Sequence, residues 1–96
     1  MKIFISQPMT GRTTEEILKE RNTYFSAAKA IRDDVKLIDS FAEDCEDESP
    51  IYLLGQSVSK LAFADLVIFV PGWEKSRGCQ VEHKVVDEYH IKYIEL

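Results

Sequence analysis

Val67-Ile68-Phe69-Val70-Pro71-Gly72-Trp73-Glu74-Lys75-Ser76-Arg77-Gly78-Cys79-Gln80-Val81-Glu82 reads as a strand, a loop and the opening of a helix. Four apolar β-formers stop at a Pro-Gly break, a short basic and aromatic loop follows, and Ser76 and Gly78 open the helix. On that helix Glu82 has Val85, Val86 and Tyr89 at i+3, i+4 and i+7, so it falls inside the apolar stripe. A carboxylate in such a stripe must be paired, be neutral, or face a cavity, because an unpaired charge in a core is very costly. A strand feeding a helix N-terminus is also where open α/β sheets hold their ligands. Glu82 is therefore the candidate working residue.

Working outward, the chain alternates strand and helix. Lys2–Ser6 reads as a first strand, stopped by Gln7-Pro8-Met9-Thr10-Gly11. Thr13-x-x-Glu16 has the form of a capping box, and Ile17, Leu18, Phe25, Ala28 and Ile31 mark one face of a helix ending near Asp34. Val35–Ile38 is a second strand, and the acidic stretch from Ser40 to Pro50 a long loop. Ile51, Leu54, Val58, Leu61 and Ala62 give a second helical face that ends before Asp65. Leu66–Val70 is the third strand, Gly78–His90 the third helix and Ile91–Glu95 the fourth strand. Strict alternation predicts an α/β, flavodoxin-like or Rossmann-like three-layer sandwich: a four-stranded parallel sheet in the order 2-1-3-4. Its switch point lies between strands one and three, where Gln7–Arg12 and Pro71–Arg77 meet.

With 96 residues the chain reads as one domain over 1–96, without repeat or linker. An apolar fraction of 45% excludes a disordered chain. A net charge of −5 argues against a nucleic-acid polymer or an anionic membrane as partner. No apolar run approaches the roughly 20 residues of a membrane span, and nothing resembles a targeting segment. Cys45 and Cys79 make no disulfide framework and no paired metal spacing. The expectation is a reduced cytoplasmic domain needing no cofactor and no metal.

Arg12, Lys75 and Arg77 gather near the switch point, beside the free N–H groups of the third helix. Together they suit a phosphate or another anion, although solvated loop cations would look the same. Trp73 either stacks on a flat ring in the cleft or covers the end of the sheet. Cys79 and His83, at i+4, form a rival thiol site, against which stands the plain reading of Cys79 as a small packing residue. His90 reads as a helix-end residue. The acids Asp39, Glu43, Asp44, Glu46, Asp47 and Glu48 lack the spacing of a calcium loop, and their segment reads as a solvated loop placed to act as a lid.

Lys2 to Gly11, Ala64-Asp65 through Val70, and Pro71 to Glu82 together resemble the nucleoside 2-deoxyribosyltransferase-like superfamily, and more narrowly its small branch DUF4406. The similarity runs over essentially the whole chain. Characterised members carry a Ser or Asp six residues before a nucleophilic Glu, with glycine between; Ser76, Gly78 and Glu82 fit. The resemblance implies a homo-oligomer, at least a homodimer, acting on N-glycosidic bonds of deoxynucleosides or their 5′-monophosphates. Glu82 would attack C1′ and hold the sugar until another base or water takes it, with Ser76 on the 5′ phosphate or sugar hydroxyl. The substrate pocket would be lined by Phe4, the first loop (Gln7, Pro8, Met9, Arg12), Ser57, Trp73, Ser76, Arg77 and Gly78.

The chain also departs from that pattern. Phe4 stands where a Tyr orients the Glu, and Ser57 where the second helix carries an Asp eight residues before Asp65. Gln7 replaces a small glycine and narrows the pocket. Asp65 precedes its strand, at the far end of the sheet, and reads as structural. A retaining displacement needs a nucleophile and an acid/base group, and Glu82 supplies the first. Two functions are thus open: an enzyme cleaving or exchanging an N-glycosidic bond, or a non-catalytic nucleotide-binding module that sequesters or senses a small nucleotide-derived ligand. Tyr52, Leu53 and Phe63 lie off the sheet-facing stripe of the second helix and mark it as a homodimer contact.

Overall fold

The structure is a computed structural model that describes residues 1–38 and 49–96. The elements follow in the order β1 (Lys2–Ser6), α1 (Thr14–Ile31), β2 (Lys36–Leu37), α2 (Pro50–Lys60), β3 (Leu66–Phe69), α3 (Arg77–Glu88) and β4 (Tyr93–Glu95). Short 3₁₀ turns at Leu61–Phe63 and Trp73–Lys75 lead into β3 and α3. The sheet is parallel throughout and ordered β2-β1-β3-β4. This is the α/β sandwich and strand order that the alternation predicts.

Alternation along the two central strands divides the core into two layers. Ile3, Ile5, Ile68 and Val70 point to one side with Val35, and Tyr24, Phe25 and Ala28 of α1 cover them. Phe4, Val67 and Phe69 point to the other, against Leu61 and Val86, with Val58 and Trp73 at the margin. Parallel strands covered on both faces must be apolar on both faces, which is why Ile3–Ile5 and Val67–Val70 are unbroken runs.

The helix starts follow their capping residues. Thr13 accepts from the Glu16 N–H at 3.1 Å and Glu16 reaches back to the Thr13 N–H, the box that the spacing predicts. Ser49 caps α2 by accepting from the Tyr52 N–H, so Pro50 is the first helical residue and not the end of a loop. Ser76 caps α3 in the same way through the Cys79 N–H. The acidic positions 39, 43, 44 and 46–48, whose segment reads from sequence as a loop placed to act as a lid, lie outside the described residues.

Several apolar positions differ from the periodic reading. Ile51 is 79% exposed and Ala62 exposed, because only Val58 and Leu61, at the C-terminal end of the second helical segment, reach the sheet. Ile31 is 89% exposed in the last turn of α1, where Arg32 ends the helix with its N–H on the Ala28 carbonyl. Tyr89 is 75% exposed: α3 stops at Glu88, and His90 turns the chain with φ 58°. The strand ends shorten for a related reason. The Ile91 N–H returns to the Val86 carbonyl, and Val35 belongs to the core beside a β2 of only two residues.

Asp65 holds the end of the sheet remote from the loops. Its carboxylate accepts from the Lys2 N–H at 2.7 Å, and its own N–H donates to the Lys2 carbonyl at 2.8 Å. Asp65→Ala deprives the Lys2 N–H of this partner, so a loss of about 1 kcal/mol is expected, read as a lower urea midpoint. An unchanged midpoint would show that the contact contributes nothing.

Candidate active site

Glu82 is 6% exposed, at the carboxyl end of β1. Ser6, the last residue of β1, donates its hydroxyl to Oε1 at 2.6 Å, and Ser57 of α2 donates to Oε2 at 2.5 Å. One carboxylate therefore ties together β1, α2 and α3. Burial pushes its pKa up from the ordinary carboxylate value, and the Ser57 and Ser6 hydroxyls pull it back part of the way. Each oxygen accepts one of these hydrogen bonds and keeps a lone pair.

Ser6 is the member that sequence reasoning missed. Phe4 and Ser6 share a face of β1, and it is Ser6 that presents a hydroxyl to Glu82. Phe4 itself lies fully buried in the core layer with Leu61, Val67 and Val86. Ser57, where the resemblance expects an acid, keeps a polar contact to Glu82 through a neutral group.

The first loop is anchored to α1. Gln7, 5% exposed, donates to the Ile17 carbonyl and to Glu20 Oε1, both at 3.0 Å, and accepts from Arg21 Nε at 3.0 Å. Arg12 donates to the same Glu20 oxygen at 2.7 Å and to the Pro8 carbonyl at 2.9 Å, while Pro8 and Met9 are half-buried. Arg12 is thus held by Glu20 and does not stand open with Lys75 and Arg77, which are exposed. Gly78 faces Leu54 closely, with 3.9 Å from its Cβ direction to Leu54 Cδ1, and brings α2 against the start of α3.

The residues of the rival thiol site serve two different clusters. Cys79 is buried against Ser6 and Ser76, and burial first of all, with the Glu82 charge in addition, raises the thiol pKa. A raised thiol is a poor nucleophile. His83 instead stacks on Trp73 at 4.3 Å between centroids and 7° between planes, and its Nε2 meets Glu95 Oε1 at 3.1 Å. Phe69 and Tyr93 complete this cluster, so Trp73 packs over the sheet end with one ring face covered. Among the described residues no group of three His, Cys, Asp or Glu side chains is placed to hold a metal. No described helix is long and apolar enough to cross a membrane.

No curated protein and no solved structure matches the chain. A family model described as a domain of unknown function, DUF4406, matches residues 1–94. With all but the last two residues inside that match, the chain belongs to the DUF4406 family.

Proposed function

We propose that the protein cleaves or exchanges the N-glycosidic bond of a nucleoside or its 5′-monophosphate, with Glu82 as the nucleophile that carries the sugar. One observation carries this reading: a buried carboxylate at the carboxyl end of the sheet, steered through both oxygens by hydroxyls from two other elements. Burial of this kind, with no cation beside it among the described residues, weakens the fold, and carboxylates held at such a cost cluster at functional sites. The resemblance of Ser76, Gly78 and Glu82 to the nucleoside 2-deoxyribosyltransferase pattern supports the same assignment. In the first step a Glu82 oxygen would bond to C1′ as the C1′–N bond breaks; water or a second base would then take the sugar.

Incubating the protein with a panel of nucleosides and 5′-monophosphates, and reading free base by chromatography, tests the reaction. Base release that disappears in Glu82→Gln supports it. The neutral Ser57 and the hydroxyl-free ring of Phe4, at the places where the resemblance expects an Asp and a Tyr, favour a second reading, a pocket that binds a nucleotide-derived ligand without turnover. Ligand-induced heat stabilisation with no base release would establish that alternative.

Ser76, Arg77 and the N–H groups opening α3 would take the 5′ phosphate. A monophosphate is therefore expected to bind about tenfold more tightly than its nucleoside, and Arg77→Ala to remove most of that difference, by calorimetry. Equal affinities, unchanged in Arg77→Ala, would return Arg77 to a solvated surface role.

The same reading calls for a reduced cytoplasmic setting and for a homodimer joined through α2. Ile51 and Tyr52 of α2 and Phe63 of the turn after it are exposed, although the Lys2 ammonium lies 5.9 Å from the Phe63 ring centre. Light scattering at micromolar concentration should give at least twice the 11.0 kDa of one chain. A monomer with full ligand affinity would overturn the dimer.

A further inference from the structure

We propose that the leaving group this site prefers is a base already carrying positive charge, as in a pyridinium or N-alkylated purine nucleoside. The inference rests on Glu82 as nucleophile and narrows its substrate class. A neutral base must gain a proton as its bond to C1′ breaks, and a positioned acid supplies it. Among the described residues the groups touching Glu82 are of another kind. Ser6 and Ser57 are alkyl hydroxyls that already donate to the carboxylate, and the neighbouring Cys79 is a buried thiol between Ser6 and Ser76. None of the three gives up a proton readily.

The electrostatics of Glu82 point the same way. Among the described residues its polar partners are neutral hydroxyls, and no cation balances its charge. In the first loop Arg12 is matched by Glu20, and the buried Arg21 donates to Gln7. Burial disfavours the lone anion of Glu82, and a cationic ring beside it would restore the balance, favouring the carboxylate and the positive character that develops at C1′. A net charge of −5 on the whole chain adds to that attraction at long range.

The chemistry balances without an acid. A Glu82 oxygen forms a bond to C1′ while the C1′–N bond breaks. The released electron pair neutralises the ring cation, and the base departs with no proton added. Water then attacks C1′, the ester C1′–O bond breaks, the carboxylate returns, and one proton goes to solvent.

A matched pair of substrates isolates the effect: 7-methylguanosine and guanosine, each also as the 5′-monophosphate and as the 2′-deoxy compound. They differ only by the methyl group that places the positive charge. Relative to its uncatalysed rate, the methylated member is expected to be accelerated at least about 10²-fold more, the smaller end of what a positioned acid contributes. Glu82→Gln should abolish cleavage of the methylated member and also its tighter binding, measured separately by calorimetry. Equal acceleration of the two members, with both lost in Glu82→Gln, would overturn the inference and leave Glu82 as the nucleophile. Neither cleavage nor binding of any member would overturn the nucleophile reading as well.

Discussion

Glu82→Gln should abolish base release, by about 10⁴-fold or more as for other covalent nucleophiles, and yet leave a protein at least as stable at neutral pH. Glutamine matches the carboxylate in shape. Its oxygen can still accept from one serine, and its amide can donate to the hydroxyl oxygen of the other. What it removes is a buried charge that has no counter-ion among the described residues. The folded-state pKa of Glu82 lies above the unfolded value of about 4.5, because burial disfavours the anion more than the two hydroxyls favour it. Its stabilising contribution is therefore complete below that unfolded value and is lost as pH rises through the folded pKa. The native protein should lose stability over that interval relative to Glu82→Gln. The carboxylates of Glu16, Asp34 and Glu88, with lowered pKa values, act in the opposite sense but are common to both proteins. Urea midpoints of the two proteins across this range give the difference directly. A variant that is less stable at every pH would show that the carboxylate is a structural partner first.

The largest loss of stability is expected from Phe69→Ala, about 3–5 kcal/mol. Phe69 is fully buried in β3 and touches Trp73, His83 and Tyr93 at centroid distances of 5.3, 4.9 and 5.7 Å. Removing it opens a void beneath the turn that leads from β3 into α3. Against a domain stability of roughly 5–15 kcal/mol, that loss is large enough to unfold a substantial fraction of the protein. Urea unfolding should show a much lower midpoint with an unchanged slope. A shift of less than about 1 kcal/mol would mean that Trp73 and Tyr93 collapse into the space.

The sandwich was legible because its strands are short apolar runs closed by strong stops. Pro8 and Gly11 follow β1, Pro71 and Gly72 follow β3, and Gly72 takes the left-handed conformation, φ 92°, that its turn requires. Glu82 was legible for a different reason, since a carboxylate within an apolar stripe conflicts with its surroundings. The helix ends were less so. Periodicity assigns Ile51, Ile31 and Tyr89 to buried faces, but each sits in a terminal turn or just beyond it, past the edge of the sheet that would cover it. Ser6 was hidden because a serine that closes a strand carries no signal of a partner far along the chain; only its shared face with Phe4 hints that it points toward α3. The Gln7–Glu20–Arg12 network was hidden because it joins a loop to a helix face across sequence separations with no periodic signature.

The most direct measurement is the mass of Glu82 itself. The protein should be incubated with a nucleoside that it cleaves, quenched in acid during turnover, and digested. The peptide containing Glu82 is expected to carry one added sugar, bonded through the side-chain carboxylate and absent from Glu82→Gln. Rapid base release with the sugar on another residue, or undiminished release by Glu82→Gln, would contradict the assignment of Glu82 as the nucleophile.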